Sequence, residues 1–322
     1  MAVGKSKISL VFPVYNESDN LPELYSQVRR ACESVGVDYE MIFVNDGSTD
    51  SSLHAIRKLK ADDDKVRYLS LSRNFGHQNA IFAGMSHAKG DCVITMDADL
   101  QHPPSMIGTM VKMWRDGAEV VYTTKKSTHL SVLDHALFRA FYWFISKVSR
   151  VELEFGQSDF RLLDRKVVDV ILRIPEYHKF LRGQVKWIGF KQAGLSYDVD
   201  RRYEGKTKMS YRRRLSFAMD GIFAFSRYPL HLIMLIGITV LIGSSMFILV
   251  VLYFWLLRIL NIPSHMSIPP GFATLAIGIF FLGSVQLIAI GLMGEYVGRI
   301  YDQTKGRPVF IVSESSDQGE GA

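Results

Sequence analysis

The stretch MDADLQHPP, from Met96 to Pro104, holds the side chains best suited to chemistry. Asp97 and Asp99 stand one residue apart, and Gln101 follows. Two carboxylates on a turn leaving a strand can hold a hard divalent cation through oxygen, and such a cation also takes phosphate oxygens from a substrate. An Asp-x-Asp tripeptide alone is more often a surface turn. Here the apolar run Cys92–Met96 precedes it and reads as a buried strand. Ligands of open α/β sheets sit outside the carboxyl ends of strands. A metal-assisted site for a phosphorylated donor is the reading that follows. A second polar turn, VNDGSTD, puts Asp46 at another strand end. Its carboxylate can accept hydrogen bonds from a base or ribose hydroxyl, or the turn can simply cap the next helix. In SDFRLLDR, Asp159 and Arg161 flank Phe160, so an extended backbone points both to one face. A lone Asp–Arg pair is usually a structural ion pair.

The elements that position these turns alternate. Strands are expected at Ile8–Phe12, Tyr39–Val44, Val66–Leu71, Cys92–Met96 and Glu119–Tyr122. Helices are expected after Asp19 or Asn20, after SRNFGHQNA through Met85, and from about Pro103 to Arg115. Asp164 is placed to cap another through Ile171. Strand–helix alternation with short connections predicts an α/β domain, a mostly parallel sheet with helices on both faces. No GxGxxG follows the first strand, which argues against a dinucleotide oxidoreductase. Leu133–Val148 predicts an aromatic-rich helix that is either core or a membrane-surface element.

Hydrophobic residues make up 48% of the 322 and charged residues 22%, a balance that suggests two chemically different parts. The net charge of +6 could serve nucleic acid, an anionic membrane or a phosphorylated substrate, and placement decides. Arg212, Arg213 and Arg214 sit beside Leu215, Phe217, Ile222 and Phe223, the pattern of a helix lying in a membrane interface. The 28 residues Leu230–Leu257 and the 24 residues Gly271–Gly294 carry no Asp, Glu, Lys or Arg. Each exceeds the roughly 20 needed to span a bilayer. Arginines and lysines flank the outer ends of both runs, and the loop between them holds only Arg258 and His265. The positive-inside rule therefore predicts two spans with both termini cytoplasmic, and it disfavours nucleic acid as the partner. The amino terminus runs directly into a strand pattern without a signal-peptide core, which keeps the α/β part cytoplasmic. Cys32 and Cys92 lie in apolar contexts and read as buried thiols. The polar tail after Ser313 reads as disordered.

Four motifs thus occur in order: VFPVYNE, VNDGSTD, MDADLQHPP and SDFRLLDR. The set resembles the inverting family 2 glycosyltransferases of GT-A fold. More narrowly it is similar to the polyprenyl-phosphate glycosyltransferases, which include dolichol-phosphate mannose synthases and bacterial GtrB-type bactoprenol glucosyltransferases. RYEGKTK, the two apolar runs and GEYVGRIYDQTKGRP fit the GtrB-type branch. The resemblance implies that Pro13, Tyr15, Glu17 and Asp46 line the donor nucleotide pocket. It implies that Asp97, Asp99 and Gln101 hold Mg2+ or Mn2+ and the donor diphosphate. Asp159 takes the place of the catalytic carboxylate with Arg161 beside it, and Arg202 with Lys208 meets phosphate. Relatives often carry an arginine where this chain has Tyr177 and His178, so Lys179 or Arg182 is assigned to the acceptor phosphate.

The implied reaction moves a hexose, glucose from UDP-glucose, onto undecaprenyl phosphate at the cytoplasmic membrane face. The lipid-linked product would serve cell-envelope or O-antigen glycosylation. Mannose from GDP-mannose or a UDP-amino sugar is the alternative donor. A polysaccharide synthase is disfavoured by the two spans and the absence of Q-x-x-R-W. A non-catalytic membrane scaffold is disfavoured by the intact carboxylates. A homo-oligomer, tetrameric as in relatives, is implied. The organisation expected is 1–205 the glycosyltransferase domain, 206–228 an interfacial helix, 229–298 two transmembrane helices and 299–322 a cytoplasmic tail.

Overall fold

Ile8, Leu10, Phe12 and Val14 alternate with Val11 on the first strand, and every one is buried. A strand apolar on both faces belongs inside a parallel sheet covered by helices on both sides. The computed structural model places it there. It describes residues 6–125, 157–177, 179–197 and 271–317, and scattered positions between 235 and 260. The Leu133–Val148 segment, His178, Arg202, Lys208, the 206–228 segment and most of the first apolar run lie outside the described residues.

The described elements run β1 (Lys7–Val14), α1 (Leu21–Val35), β2 (Asp38–Asn45), α2 (Ser52–Asp62), β3 (Val66–Leu71), α3 (His77–His87), β4 (Cys92–Thr95), α4 (Ile107–Arg115) and β5 (Val120–Lys125). After these come β6 (Gln157–Asp164), α5 (Arg165–Arg173), α6 (Leu181–Trp187), β7 (Gln192–Tyr197), α7 (Gly271–Thr304) and β8 (Val312–Ser315). All eight strands form one sheet, ordered β7-β5-β6-β4-β1-β2-β3-β8. The pairs β1–β2, β2–β3, β1–β4 and β5–β7 are parallel; β6 runs antiparallel to β4 and β5, and β8 antiparallel to β3. Helix α1 packs with α4 on one face around Phe12 and Phe43, whose rings stack 4.9 Å apart. Helices α3 and α5 cover the other face around Val11, Ile42 and Val93. At Gly84 a β-carbon would meet Val11 at 2.2 Å, so α3 lies on β1 at a distance only glycine allows.

The chain builds outward from β1 to β3, then crosses back to lay β4 against the other side of β1. That reversal opens a crevice at the carboxyl ends of β1 and β4. Strand β6 runs the opposite way, so its first residues arrive at the same end. Thr95 pairs with Arg161, and continuing that register sets Asp159 opposite Asp97.

The strands and helices expected within the described residues of the sheet domain are present, and Asp164 caps α5 through the Lys166 amide at 3.0 Å. One expectation is corrected. The tail beyond Ser313 is ordered through Asp317, because β8 extends the sheet along β3. Glu314 receives Arg57 and Tyr68, and Asp317 receives Arg67. A single edge strand needs no apolar alternation when backbone pairing and ion pairs hold it, and polar composition misled the reading.

By chain contacts the molecule divides into residues 1–224 with 307–322, and residues 225–306. In the second unit, the helical stretch Phe281–Thr304 is long and apolar enough to cross a membrane, the one such stretch among the described residues. Described residues of the first apolar run, among them Leu235, Ile242, Leu249 and Leu256, are helical and exposed.

Candidate functional site

Two loops meet at the end of β1. Asn16 takes the left-handed conformation at φ 57°, and its side-chain oxygen accepts from the Thr49 amide at 2.8 Å. The Asn16 and Glu17 amides donate to Ser48 and Ser52. Pro13 is buried in the sheet, Tyr15 is half exposed at its edge, and Glu17 accepts from Asn20 at 2.6 Å. These crossed hydrogen bonds set the loop shape before any ligand arrives. Asp46 lies beneath, buried, with its carboxylate accepting the Phe75 amide at 2.7 Å and the Gly76 amide at 3.0 Å. Burial pushes its carboxyl above the usual range, against the pull of those two amides. Gly47 beside it has φ 67°, and a β-carbon there would meet Arg73 backbone at 2.5 Å. Asp46 therefore fixes the 73–76 loop, and with it the start of α3, while each oxygen keeps a lone pair free.

Helix α3 opens with His77 and Gln78, which the sequence reading did not single out. His77 Nε2 stands 3.3 Å from Asp97 and 3.6 Å from Asp159. Burial opposes its charge, but the two carboxylates prevail and raise it above the usual imidazole value. Gln78 donates to Asp159 at 3.3 Å and accepts the Leu181 amide at 3.2 Å, tying α3 to the start of α6.

The DADLQ turn is braced from below by His102. Its Nδ1 accepts the Asp97 amide at 3.2 Å, so Nε2 carries the proton and donates to Ser158 at 2.6 Å. Burial depresses its pKa, keeping the ring neutral, and it stacks on Phe160 at 5.3 Å. Leu100 pays for the tight turn with φ 61°. Asp99 accepts the Gln101 amide, and the Gln101 side-chain oxygen accepts from Lys125 at 3.3 Å. Asp97 Oδ1 is buried and accepts no well-aligned hydrogen bond, its one polar neighbour being His77 Nε2 at 3.3 Å. No three His, Cys, Asp or Glu side chains converge as a metal cage among the described residues. Two neighbouring carboxylates with one unbonded oxygen still fit a hard cation of the Mg2+ or Mn2+ type, which commonly takes one or two carboxylates and completes its shell with substrate phosphate and water.

Asp159 is the most heavily held carboxylate. Arg182 grips it with two hydrogen bonds, 2.9 and 2.8 Å, and Arg161 approaches at 3.4 Å. Burial alone would raise its pKa, but Arg182, His77 and Arg161 overcome this and hold it well below the usual carboxylate range. Burial lowers Arg161 to about 10, leaving it charged at neutral pH. The expected shared face of Asp159 and Arg161 on an extended strand is present. Of the two cations assigned to the acceptor, Arg182 reaches this cluster. Lys179 bonds the Ile174 carbonyl at 2.6 Å and lies over the Phe82 ring. The structure thus joins Asp97, Asp159, Arg161 and Arg182, adds His77, Gln78 and His102, and keeps Asp46 one loop away.

The family description Glycosyl transferase family 2 matches residues 9–171, half of the chain. An uncharacterized glycosyltransferase of Synechocystis is 37% identical over 309 residues, covering 96% of this chain and 95% of that one. A prophage bactoprenol glucosyl transferase homolog of Escherichia coli is 36% identical over 307 residues, covering 95% and 98%. A mannosyltransferase from Pyrobaculum calidifontis, solved with GDP-mannose and Mn2+, aligns over 69% of this chain and 64% of its own at 15% identity and a TM-score of 0.48. On the strength of the family match and the near full-length relatives, the chain belongs to glycosyltransferase family 2, and its α/β sheet is of the GT-A type.

Proposed function

We propose that the protein transfers a hexose, glucose from UDP-glucose, to a polyprenyl phosphate such as undecaprenyl phosphate. The product is a lipid-linked sugar for cell-envelope glycosylation, formed at the cytoplasmic membrane face with inversion at the anomeric carbon. The observation that carries this reading is the state of Asp159. A carboxylate gripped by two arginines and held far below its usual pKa is a poor base. An acceptor that needs no base suits such a site. A phosphate monoester has a second pKa of about 6 and is largely ionised at neutral pH.

One phosphate oxygen of the acceptor attacks the anomeric carbon as the bond from that carbon to the donor diphosphate breaks. The electrons of the broken bond leave with the nucleoside diphosphate, and no proton must move. Arg161 and Arg182 supply fixed positive charge beside Asp159, suited to orienting the incoming phosphate. Asp159 keeps both arginines aimed. The Asn16–Glu17 and Asp46 loops present a preset pocket for the nucleoside, with Pro13, Tyr15 and Glu17 along it. Asp97 and Asp99, with Gln101, would hold a divalent cation, which would offset the charge growing on the leaving diphosphate. Arg202 and Lys208, which lie outside the described residues, are assigned to phosphate by the family resemblance of RYEGKTK.

The relatives named for bactoprenol glucosylation support the acceptor and the sugar. Chain connectivity supports the membrane placement. Strand β8, which follows α7, lies in the same sheet as the strands that precede the apolar runs, so a chain that enters the membrane between them crosses it an even number of times. A crossing by α7 then calls for a second by Leu230–Leu257. Two spans, cytoplasmic termini and a homo-oligomer complete the reading.

The test is nucleoside diphosphate release by the full chain in detergent with Mg2+ or Mn2+, undecaprenyl phosphate and a panel of UDP- and GDP-sugars. Release with UDP-glucose that depends on lipid and metal is expected. Release with GDP-mannose or a UDP-amino sugar instead would move the donor assignment, and no lipid-dependent release with any donor would overturn the reading.

A further inference from the structure

Tyr197 closes β7, paired by register with Lys125 at the end of β5. Lys125 reaches Gln101, so this corner of the sheet abuts the DADLQ turn. The Tyr197 ring is buried, 5% exposed, and meets His102 edge-on at 6.2 Å between centroids. Its hydroxyl has no hydrogen-bond partner among the described residues. Buried polar groups are almost always paired, and an unpaired one weakens the fold. The surroundings are not apolar either: Ser158 stands near the hydroxyl, outside good hydrogen-bond geometry but close enough to oppose the rise in its pKa, and the charges of Asp97, Asp99 and Arg182 act on it. Burial above all, with those carboxylates, pushes its pKa up to about 12, so at neutral pH it has a proton to give.

We propose that the Tyr197 hydroxyl binds the donor, giving a hydrogen bond to a diphosphate oxygen of the nucleotide sugar. A phosphate oxygen is purely an acceptor, which is what an unpaired hydroxyl lacks, and Asp97 and Asp99 mark where a cation-bound diphosphate sits. The inference rests on the transfer reaction proposed above. It adds a binding residue from β7, an element that none of the four sequence motifs touches.

Tyr197→Phe removes only the oxygen and keeps the ring against His102. Binding of UDP and of uridine is measured by calorimetry with Mg2+ on wild type and variant, alongside thermal unfolding and lipid-dependent turnover; GDP and guanosine replace them if the wild type prefers those. A hydrogen bond to a charged acceptor implies that the variant binds the diphosphate about ten- to hundred-fold more weakly. Nucleoside affinity stays unchanged, and the melting temperature holds or rises because a buried unpaired hydroxyl is gone. Equal diphosphate affinity overturns the proposal. So does a melting temperature lowered by several degrees, the mark of a structural partner. A loss confined to the nucleotide sugar, with the diphosphate unaffected, overturns it by placing the contact on the sugar. Wild-type turnover separates the two claims: activity without a Tyr197→Phe effect sinks this inference alone, whereas a wild type that binds the diphosphate yet transfers to no lipid phosphate sinks the reaction.

Discussion

The two sides of the crevice are built on different principles. On the β1–β2 side, backbone amides and short polar side chains lace the loops together: Asn16 to Thr49, Glu17 to Ser52, and Asp46 to Phe75 and Gly76. On the β6–α6 side, full charges converge: Asp159 with Arg182, Arg161 and His77. The first kind of site recognises by preset shape. The second holds charge in readiness and can exchange one anion for another. A nucleotide suits the former and a lipid phosphate the latter, so the asymmetry matches a donor with many features and an acceptor with one.

The largest predicted effect comes from the seam between the two sides. Asp99→Ala removes a carboxylate from the proposed cation site, and loss of several kcal/mol of charge stabilisation should lower turnover by about a thousand-fold or more. Metal titration of activity and of nucleotide binding checks it, and a variant with normal metal response would separate Asp99 from the cation. Arg182→Ala comes next. It strips the main partner from a buried carboxylate, which costs roughly 3–5 kcal/mol when no charge remains nearby and less here because Arg161 stays. The expected signature is a raised KM for the lipid acceptor with the donor KM little changed, plus a lowered melting temperature. Arg182→Lys should rescue poorly, since one ammonium cannot repeat the two-point grip.

Asp159→Asn sharpens the comparison further. If Asp159 only aims the arginines, the variant keeps a clear residue of activity with the wild-type pH profile. Complete loss with donor binding intact would make Asp159 a participant in the chemistry.

Much of this asymmetry was legible beforehand and some was not. Asp46 and Asp97 could be placed at strand ends because apolar runs and polar turns mark where strands stop, and Asp159 could be set on one face with Arg161 by the alternation of an extended segment. Arg182 was named as a phosphate-binding cation, but its grip on Asp159 was hidden, as were His77 and Gln78 altogether, since they reach Asp159 across 23, 82 and 81 residues of sequence (182 less 159; 159 less 77, 78) that only the fold brings together. His102 lay inside a quoted motif, but a buried neutral histidine beneath a turn leaves no periodic signal. Tyr197 was invisible for the same reason. Strand β8 was missed because an edge strand pinned by Glu314 and Asp317 has the composition of a loose tail.

That edge strand gives the smallest prediction. The Arg57–Glu314 pair is about half exposed, so Glu314→Gln should cost no more than about 1 kcal/mol, and added salt should erase part of it. Arg57 lowers the Glu314 pKa and Arg67 that of Asp317. Carboxyls depressed in the folded state stabilise above their unfolded pKa and lose that contribution as pH falls through the folded value. The wild-type melting temperature should therefore fall on acidification below the ordinary carboxylate range, and less steeply in a Glu314→Gln, Asp317→Asn variant.

The central claim is that the acceptor arrives already ionised and that Asp159 takes no proton. The most direct measurement is the pH–rate profile with undecaprenyl phosphate set beside undecaprenol, the corresponding alcohol, under saturating donor and metal. The account predicts transfer to the phosphate alone, with a rate that declines as the phosphate protonates near pH 6 and that otherwise changes only as His77, raised above the usual imidazole value beside Asp97 and Asp159, loses its proton. Transfer to the alcohol, abolished by Asp159→Asn, would contradict it and make Asp159 a general base.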